Sequence, residues 1–280
     1  MISDKNTNTI YFSELLKTDN RFASTFEEIN NILKRFGGKP KLLPKTNDIW
    51  ARDYMPIQIS SDKFVEYRYD PDYLQGANKG HRDLKTYPDI VCNSLKLNTT
   101  KSDLILDGGN LIKSSDCIIL TDKIVKENRL TYSKNELIKK LHDTFLVDKV
   151  VLIPWDTNEK YGHSDGMMRF ITNNTVLING IYENDTVLTS RLKKYGLKCE
   201  YLRFKVRKRD KRNWAYINFL QTKDLILIPK LEIEEDELAF KQITDYYPDY
   251  GRNQRIESVD MTEVVKHGGA LNCITWTIKT

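Results

Sequence analysis

The sequence predicts an α/β protein assembled by repetition. Five helical segments begin at intervals of roughly fifty to sixty residues, and two or three strand-like runs separate each from the next. No identity between the units is visible, so the repeat is one of architecture. A doubly wound parallel sheet is the rival arrangement, but the phosphate-binding GxGxxG that would follow its first strand is absent. No Pro/Gly/Ser-rich linker divides the 280 residues, a length that buries about three-quarters of the unfolded surface. Residues 1–280 therefore read as one domain.

The elements follow in order. Asp19 or Asn20 caps a first helix whose apolar positions Phe22, Phe26, Ile29, Leu33 and Phe36 recur at steps of three and four, and Gly37-Gly38 stops it. Lys41 to Leu43 is a strand. The segment from Asp48 runs into another at Ile57, with Pro56 at its start, and Phe64 to Tyr69 is the hairpin partner. Pro71 to Arg82, rich in Gly, Asn, Asp and Tyr, is a loop over the active face. A weaker helix spans Asp83 to Leu95, interrupted by Pro88. Asp103 to Ile112 reads as strand, glycine break and continuing strand, with Cys117 to Leu120 beside it. Ser133-Lys134-Asn135-Glu136 is a capping box opening a helix to Phe145. Lys149 to Pro154 and Thr175 to Ile178 are strands on either side of Tyr161 to Phe170. A fourth helix covers Asp185 to Tyr195 and ends at Gly196. Strands at Glu200 to Val206, Trp214 to Leu220 and Leu225 to Ile228 precede a fifth helix, Glu234 to Tyr247, halted by Pro248. Ile256 to Asp260 and Ile274 to Ile278 close the chain.

Composition narrows the class. Lys and Arg number 44 against 39 Asp and Glu, a net charge of +5 that does not by itself call for a nucleic-acid partner. The N-terminal residues carry no apolar signal-like core, and no segment reaches bilayer-spanning length, so a cytoplasmic, non-membrane protein is expected. Cys92, Cys117, Cys199 and Cys273 are far apart with no CxxC spacing, which argues for reduced thiols over a zinc ribbon or disulfide framework.

Four polar motifs interrupt the apolar runs: Trp50-Ala-Arg52-Asp53, Asp107-Gly-Gly-Asn110, Gly162-His163-Ser-Asp165 and Gly268-Gly269-Ala-Leu-Asn-Cys273. The last places a thiol where a glycine-bearing loop enters the Ile-Thr-Trp-Thr-Ile alternation. In an extended strand His163 and Asp165 would share one side, delivering an acid/base and a carboxylate to the same pocket. If the motifs converge, they assemble a nucleophile, an acid/base and three carboxylates. Carboxylates raise a thiol pKa and repel an oxyanion, which is wrong for a protease. They suit a cation. A planar guanidinium presents a fork of N–H donors to carboxylates, and its central carbon is then open to thiolate attack. Loss of an amine protonated by His163 would leave a thiouronium, which water activated by the same histidine would hydrolyse to a ureido product. Taken singly, Cys273 could be a buried core thiol, His163 a structural histidine and Asp107 a turn residue. A metal site from His163, Asp165 and Asp107 would leave Cys273 unexplained and matches no common zinc spacing. His81, His142 and His267 read as structural, although His267 is close enough in sequence to Cys273 to line its pocket.

At these residues the chain resembles the guanidine-modifying (pentein) superfamily, and within it the agmatine deiminase and bacterial peptidylarginine deiminase group. Trp-x-Arg-Asp, Asp-Gly-Gly-Asn, Gly-His-x-Asp and Gly-Gly-x-x-x-Cys-Ile-Thr occur in the family's order from Trp50 to Thr275. The resemblance implies a five-bladed α/β propeller of ββαβ units forming a single catalytic domain. It implies that Cys273 is the nucleophile and His163 the general acid/base, and that Asp107 and Asp165 hold the guanidinium nitrogens. Asp53 resembles the family's further guanidinium-binding carboxylate. Trp50, Arg52, Asn110 and Gly269 complete the expected substrate-binding set, Arg52 rather by tying loops together. No cofactor and no metal are implied. The expected partner is a small-molecule or peptide guanidinium substrate (agmatine, arginine or peptidylarginine), and a homodimer is compatible with the sequence. The family's Pro-x-x-Trp and Trp-Pro stretches before Trp50 are missing. Met55 stands where glycine is usual and Trp276 where glutamine is typical, which places agmatine as substrate in question.

Arg203 to Arg212 holds seven basic residues in ten. It reads as an edge strand and hairpin with a solvated basic face, or as a patch that receives an anionic group. No RNA-binding motif supports nucleic acid. Two functions remain open beside a deiminase: an amidinotransferase, which passes the thiouronium to an amine, and a noncatalytic arginine-binding pentein.

Overall fold

The computed structural model describes residues 1–75, 82–204 and 213–280. Its fifteen described strands form five three-stranded sheets, each an antiparallel pair extended by a parallel third strand. In four of them the order along the chain is strand, strand, helix, strand. The strands at 57–58, 64–68 and 99–105 bracket the helix Pro88–Ser94. Those at 112–113, 117–121 and 149–153 bracket Lys134–Phe145. The next two sheets bracket Thr186–Lys194 and Asp236–Tyr246 in the same way. The remaining sheet is made from both ends of the chain. Thr9–Ser13 pairs parallel with Lys41–Leu43 across the helix Ala23–Arg35, and its antiparallel partner is the last strand, Thr275–Ile278. The ring of five ββαβ blades is thereby closed by the chain's two ends.

Four of the five blades bury their first strand throughout; in the blade that begins at Met168–Thr172 only Met168 and Arg169 of that strand are buried. Ile57–Gln58, Ile112–Lys113, Leu220–Gln221 and Thr275–Ile278 are buried throughout, whereas the third strands at 41–43, 99–105 and 198–202 alternate with exposure. Apolar stripes at helical spacing seat the outer helices. Phe26, Ile29 and Leu33 do so for the first, and Leu137, Leu141 and Phe145 for the third. The expected capping box is present: the Ser133 hydroxyl accepts from Glu136 N–H and the Glu136 carboxylate from Ser133 N–H.

Several expectations are corrected. Asp19 does not cap the first helix; its carboxylate accepts the Arg21 N–H, and Phe22 occupies the N-cap. Pro88 opens its helix at the first position, where a missing N–H costs nothing, and does not interrupt one. Pro248 likewise starts a further turn, Pro248–Arg252. The two strands flanking Gly108-Gly109 belong to neighbouring blades, so the glycine break is a crossing between sheets. Trp214 to Leu220 is mostly a 3-10 segment, Asn213–Ile217, with strand only at Leu220–Gln221. The strand Thr9–Ser13 and the helices Glu14–Thr18 and Lys123–Asn128 carry no clear periodicity and come from tertiary pairing. Of the basic stretch, 205–212 lies outside the described residues, as does His81; the strand before it ends at Leu202, and the Arg203 guanidinium pairs with Glu183.

Trp276 is a keystone of the closure. It is 3% exposed, lies 5.0 Å from the Tyr11 ring and 6.1 Å from Phe64, and its indole N–H donates to Pro56 O at 2.7 Å. Trp276→Ala is expected to cost about 3–5 kcal/mol. At roughly 2–4 °C per kcal/mol for a chain of this size, the fall in Tm is on the order of 10 °C, measurable by calorimetry.

Candidate active site

Three short turns and one loop deliver the polar side chains. The Asp48 carboxylate accepts the Trp50 N–H at 2.8 Å and winds Ala51–Tyr54 into one helical turn. Successive side chains on a helix point about 100° apart, so Arg52 and Asp53 diverge. Asp53 enters the cleft and Arg52 turns inward to Asp4. The sequence reads this segment only as the approach to the strand at Ile57; the local Asx turn makes it a helical turn. Asp107 stands at the N-terminus of the turn Gly108–Asn110, and His163 at that of Ser164–Gly166. His163 and Asp165 thus arrive on a 3-10 turn and not on an extended strand. The Glu159 carboxylate accepts the N–H groups of Tyr161 and Gly162 at 2.9 and 3.0 Å, which pins this loop. Cys273 lies in the turn 271–274 directly before the closing strand.

The structure brings Cys273, His163, Asp53, Asp107 and Asp165 together. His163 Nε2 is 2.9 Å from Asp107 Oδ2, and Nδ1 is 3.8 Å from Asp53 Oδ1. Asp53 Oδ1 accepts the Gly109 N–H at 3.1 Å. Glycine is required there, since a Cβ would come within 2.6 Å of both Asp53 Oδ1 and His163 Nδ1. Gly269 has the same role against Trp50, whose ring a Cβ would meet at 2.0 Å. Cys273 Sγ is 3.3 Å from Asn218 Oδ1 and 3.7 Å from Asp165 Oδ2. Asn272 donates to the same Asp165 oxygen at 2.7 Å. Among the described residues Asp107 Oδ1 is buried without a hydrogen-bond partner, a free acceptor beside the histidine.

Electrostatics follow from this crowding. Burial, then Asp165 and Asp53, push the Cys273 thiol well above the usual cysteine range. Burial works against an imidazolium at His163, but Asp53 and the hydrogen-bonded Asp107 outweigh it and raise the histidine to about 9. Burial pushes Asp53 up to about 7; His163 offsets part of this, while Asp107 and Asp165 add to it. The resting site is therefore a neutral thiol beside a protonated histidine, with carboxylates in excess.

Two chambers open onto this centre and share Tyr161, His163, Gly268 and Cys273. Trp50, Asp48, Asp53, Tyr69, Tyr73 and Lys160 line one. Asp156, Glu159, Asp165, Tyr182 and Trp214 line the other. Arg52 and Asn110 line neither: Asn110 Oδ1 accepts the Thr121 N–H at 2.9 Å, a tie between blades. His267 stacks edge-on against Phe22 and pairs with Glu263, away from the chambers.

Sequence reasoning missed Asn218, Asn272 and Lys123. Asn218 is fully buried and takes both the Cys273 N–H and the thiol on Oδ1. Its only signal is a polar residue inside the apolar run Ile217-Asn218-Phe219-Leu220. Lys123, 1% exposed, donates to Tyr161 O at 2.8 Å and lies 3.9 Å from Asp107, 3.3 Å from Glu127 and 3.4 Å from Asp72. Burial works against its charge, but Asp107, Glu127 and Asp72 raise its pKa, while burial pushes Glu127 up to about 7. Lys123 thus bolts the Asp72–Leu74 segment and the Tyr161 loop to Asp107.

The chain matches the Porphyromonas-type peptidyl-arginine deiminase family over residues 24–278. A Lactococcus lactis protein provisionally named an agmatine deiminase is 25% identical over 276 residues, covering 82% of this chain and 74% of its own. The solved C. jejuni agmatine deiminase superposes with a TM-score of 0.76 at 18% identity, over 100% of this chain and 95% of its own. An amidinotransferase from Microseira wollei shares the fold more distantly, with a TM-score of 0.61 at 13% identity over 93% of this chain and 82% of its own. The five ββαβ blades are thus the pentein fold, and the chain belongs to the Porphyromonas-type peptidyl-arginine deiminase family, the agmatine-deiminase-like hydrolases that act on guanidino groups.

Proposed function

We propose that the whole chain is one catalytic domain that converts a small guanidine bearing a second cationic group, agmatine first among them, to its ureido product and ammonia. The observation that supports this reading is the charge of the cleft. Asp156, Glu159 and Asp165, joined by Asp53 as it ionises at about 7, line the two chambers against Lys160 and His163 as cations; Asp48, pushed up to about 8 by burial, adds an acceptor and not a full charge at neutral pH. A dication such as agmatine is favoured in that field, whereas the carboxylate of free arginine is repelled.

In this mechanism Asp53, Asp165 and the free Oδ1 of Asp107 accept the guanidinium N–H groups. The positive charge lowers the Cys273 pKa, so the thiol gives up its proton, to solvent, only once substrate is bound. Thiolate attack on the central carbon forms the C–S bond. The His163 imidazolium donates its proton to one amino group, the C–N bond breaks, and ammonia leaves. His163, now neutral, takes a proton from water as the water oxygen attacks the thiouronium carbon. Collapse breaks the C–S bond and releases the ureido product, and the departing sulfur takes up the hydroxyl proton of the adduct, restoring the neutral thiol.

The pH dependence follows with its sign. The free enzyme needs Asp53 ionised, which develops as pH rises through about 7, and His163 protonated, which is lost as pH rises through about 9. A plot of kcat/KM against pH is expected to be a bell between these limits. A profile level through the upper limb would remove His163 as the acid.

Ammonia release from agmatine, free arginine, N-terminal, internal and C-terminal arginine peptides and methylarginines tests the substrate class. Agmatine is expected to lead by kcat/KM. Release confined to peptides would overturn the small-substrate reading and keep the deiminase. Silence in water with transfer to an added amine would identify an amidinotransferase.

A further inference from the structure

A second polar cluster lies away from the two chambers, built from the inner edges of successive blades. Asp4 Oδ2 accepts from Arg169 Nη2 at 2.7 Å, and Asp4 Oδ1 lies 3.4 Å from Lys113 Nζ and 4.0 Å from Arg52 Nη1. All three cations are buried, with Arg52 9%, Lys113 8% and Arg169 4% exposed. Among the described residues none of the three forms an ion pair with any other carboxylate, so three cations share one anion. Burial, with Arg52 and Arg169 adding to it, lowers the Lys113 pKa against the pull of Asp4. Two small cavities meet at Lys113. Arg52, Gln58, Lys113 and Thr277 line one; Asp4, Lys113, Arg169 and Gln221 line the other. Arg52 Nη2 and Thr277 Oγ1 are buried without hydrogen-bond partners among the described residues, and both residues belong to the first cavity.

We propose that this cluster is a binding site for a small inorganic anion of halide size. The cavities admit a particle about as large as one or two waters, which excludes phosphate or a substrate carboxylate. The uncompensated positive charge favours an anion over water, because buried charges are stable only when paired. Arg52 Nη2, Lys113 Nζ and the Thr277 hydroxyl supply the donors. The site also reaches the nucleophile. Arg52 N–H donates to Cys273 O at 3.0 Å, Arg52 Nε to Asn272 O at 3.4 Å, and Asn272 Nδ2 to Asp165 Oδ2. An anion that fixes the Arg52 guanidinium therefore steadies the turn that carries Cys273.

The test compares the full chain in sodium gluconate, chloride and bromide at equal ionic strength. Chloride and bromide are expected to raise Tm saturably, by roughly 3–5 °C at ten times Kd, whereas gluconate, too large for the cavity, leaves it unchanged. Lys113→Met is expected to abolish the halide-dependent shift. Crystals grown with bromide, in which anomalous scattering locates the ion, are expected to show it between Arg52, Lys113 and Thr277, a readout that does not depend on the variant folding. Equal Tm in gluconate and halide, an undiminished shift in Lys113→Met, or no anomalous peak at the cluster would each overturn the proposal.

Discussion

Cys273→Ala is expected to lower ammonia release from the best guanidine by about 10⁴-fold or more while the protein stays folded. In the proposed mechanism the thiol supplies the attack on the guanidinium carbon, and the carboxylates around it would hold the substrate without replacing it. The side chain is 8% exposed in a turn whose backbone bonds to Ala270 O and Asn218 Oδ1 stay in place, so truncation leaves the scaffold intact. Retained binding of agmatine by calorimetry, with turnover lost, is the expected pair of results. Full activity in the variant would remove the covalent route.

Asp165→Asn is expected to act in two directions at once. The carboxylate lies 3.7 Å from Cys273 Sγ and is one of the causes that raise its pKa. Neutralising it without changing its shape should speed iodoacetamide alkylation of Cys273 at neutral pH by about tenfold. It should also remove a guanidinium acceptor and lower kcat/KM by about 10³-fold. A more reactive thiol in a less active enzyme is the mark of a site that holds its nucleophile in reserve until a cation arrives. Alkylation that is unchanged in Asp165→Asn would mean that burial alone sets the thiol.

The repeat was legible because each blade carries one helix long enough to show a 3.6-residue stripe, at residues 23, 88, 134, 186 and 236. Ser133 with Glu136 marked one of these helices by its capping box, which caps as read, whereas Asp185, read only as the first residue of its helix, is that helix's N-cap and accepts the Leu188 N–H. The single turns were not legible. Ala51–Tyr54, Lys123–Asn128 and Ser164–Gly166 are too short for a period, and side-chain bonds from Asp48, Asn128 and Glu159 to neighbouring backbone help set them. At the site, Cys273, His163 and the three aspartates stood out because charge and glycine break apolar runs. Asn218 did not, since an amide in an apolar run resembles any satisfied core polar group. Arg52 stood out for the right motif, but its side chain serves the far cluster with Asp4. A sequence shows which residues are unusual; which way each faces is decided by turns that local pattern does not encode.

Closure of the ring by Thr275–Ile278 against Thr9–Ser13 has a consequence for the life of the protein before it is finished. Cys273 precedes the closing strand by two residues, so both leave the ribosome after every other described strand. While they are missing, the first blade lacks an edge and Asn218 and Asp165 have no thiol between them. A chain that stops short of Cys273 can bury its middle blades yet, on the proposed mechanism, cannot form the thiouronium. Closure of the ring and assembly of the polar cluster around Cys273 are therefore a single event.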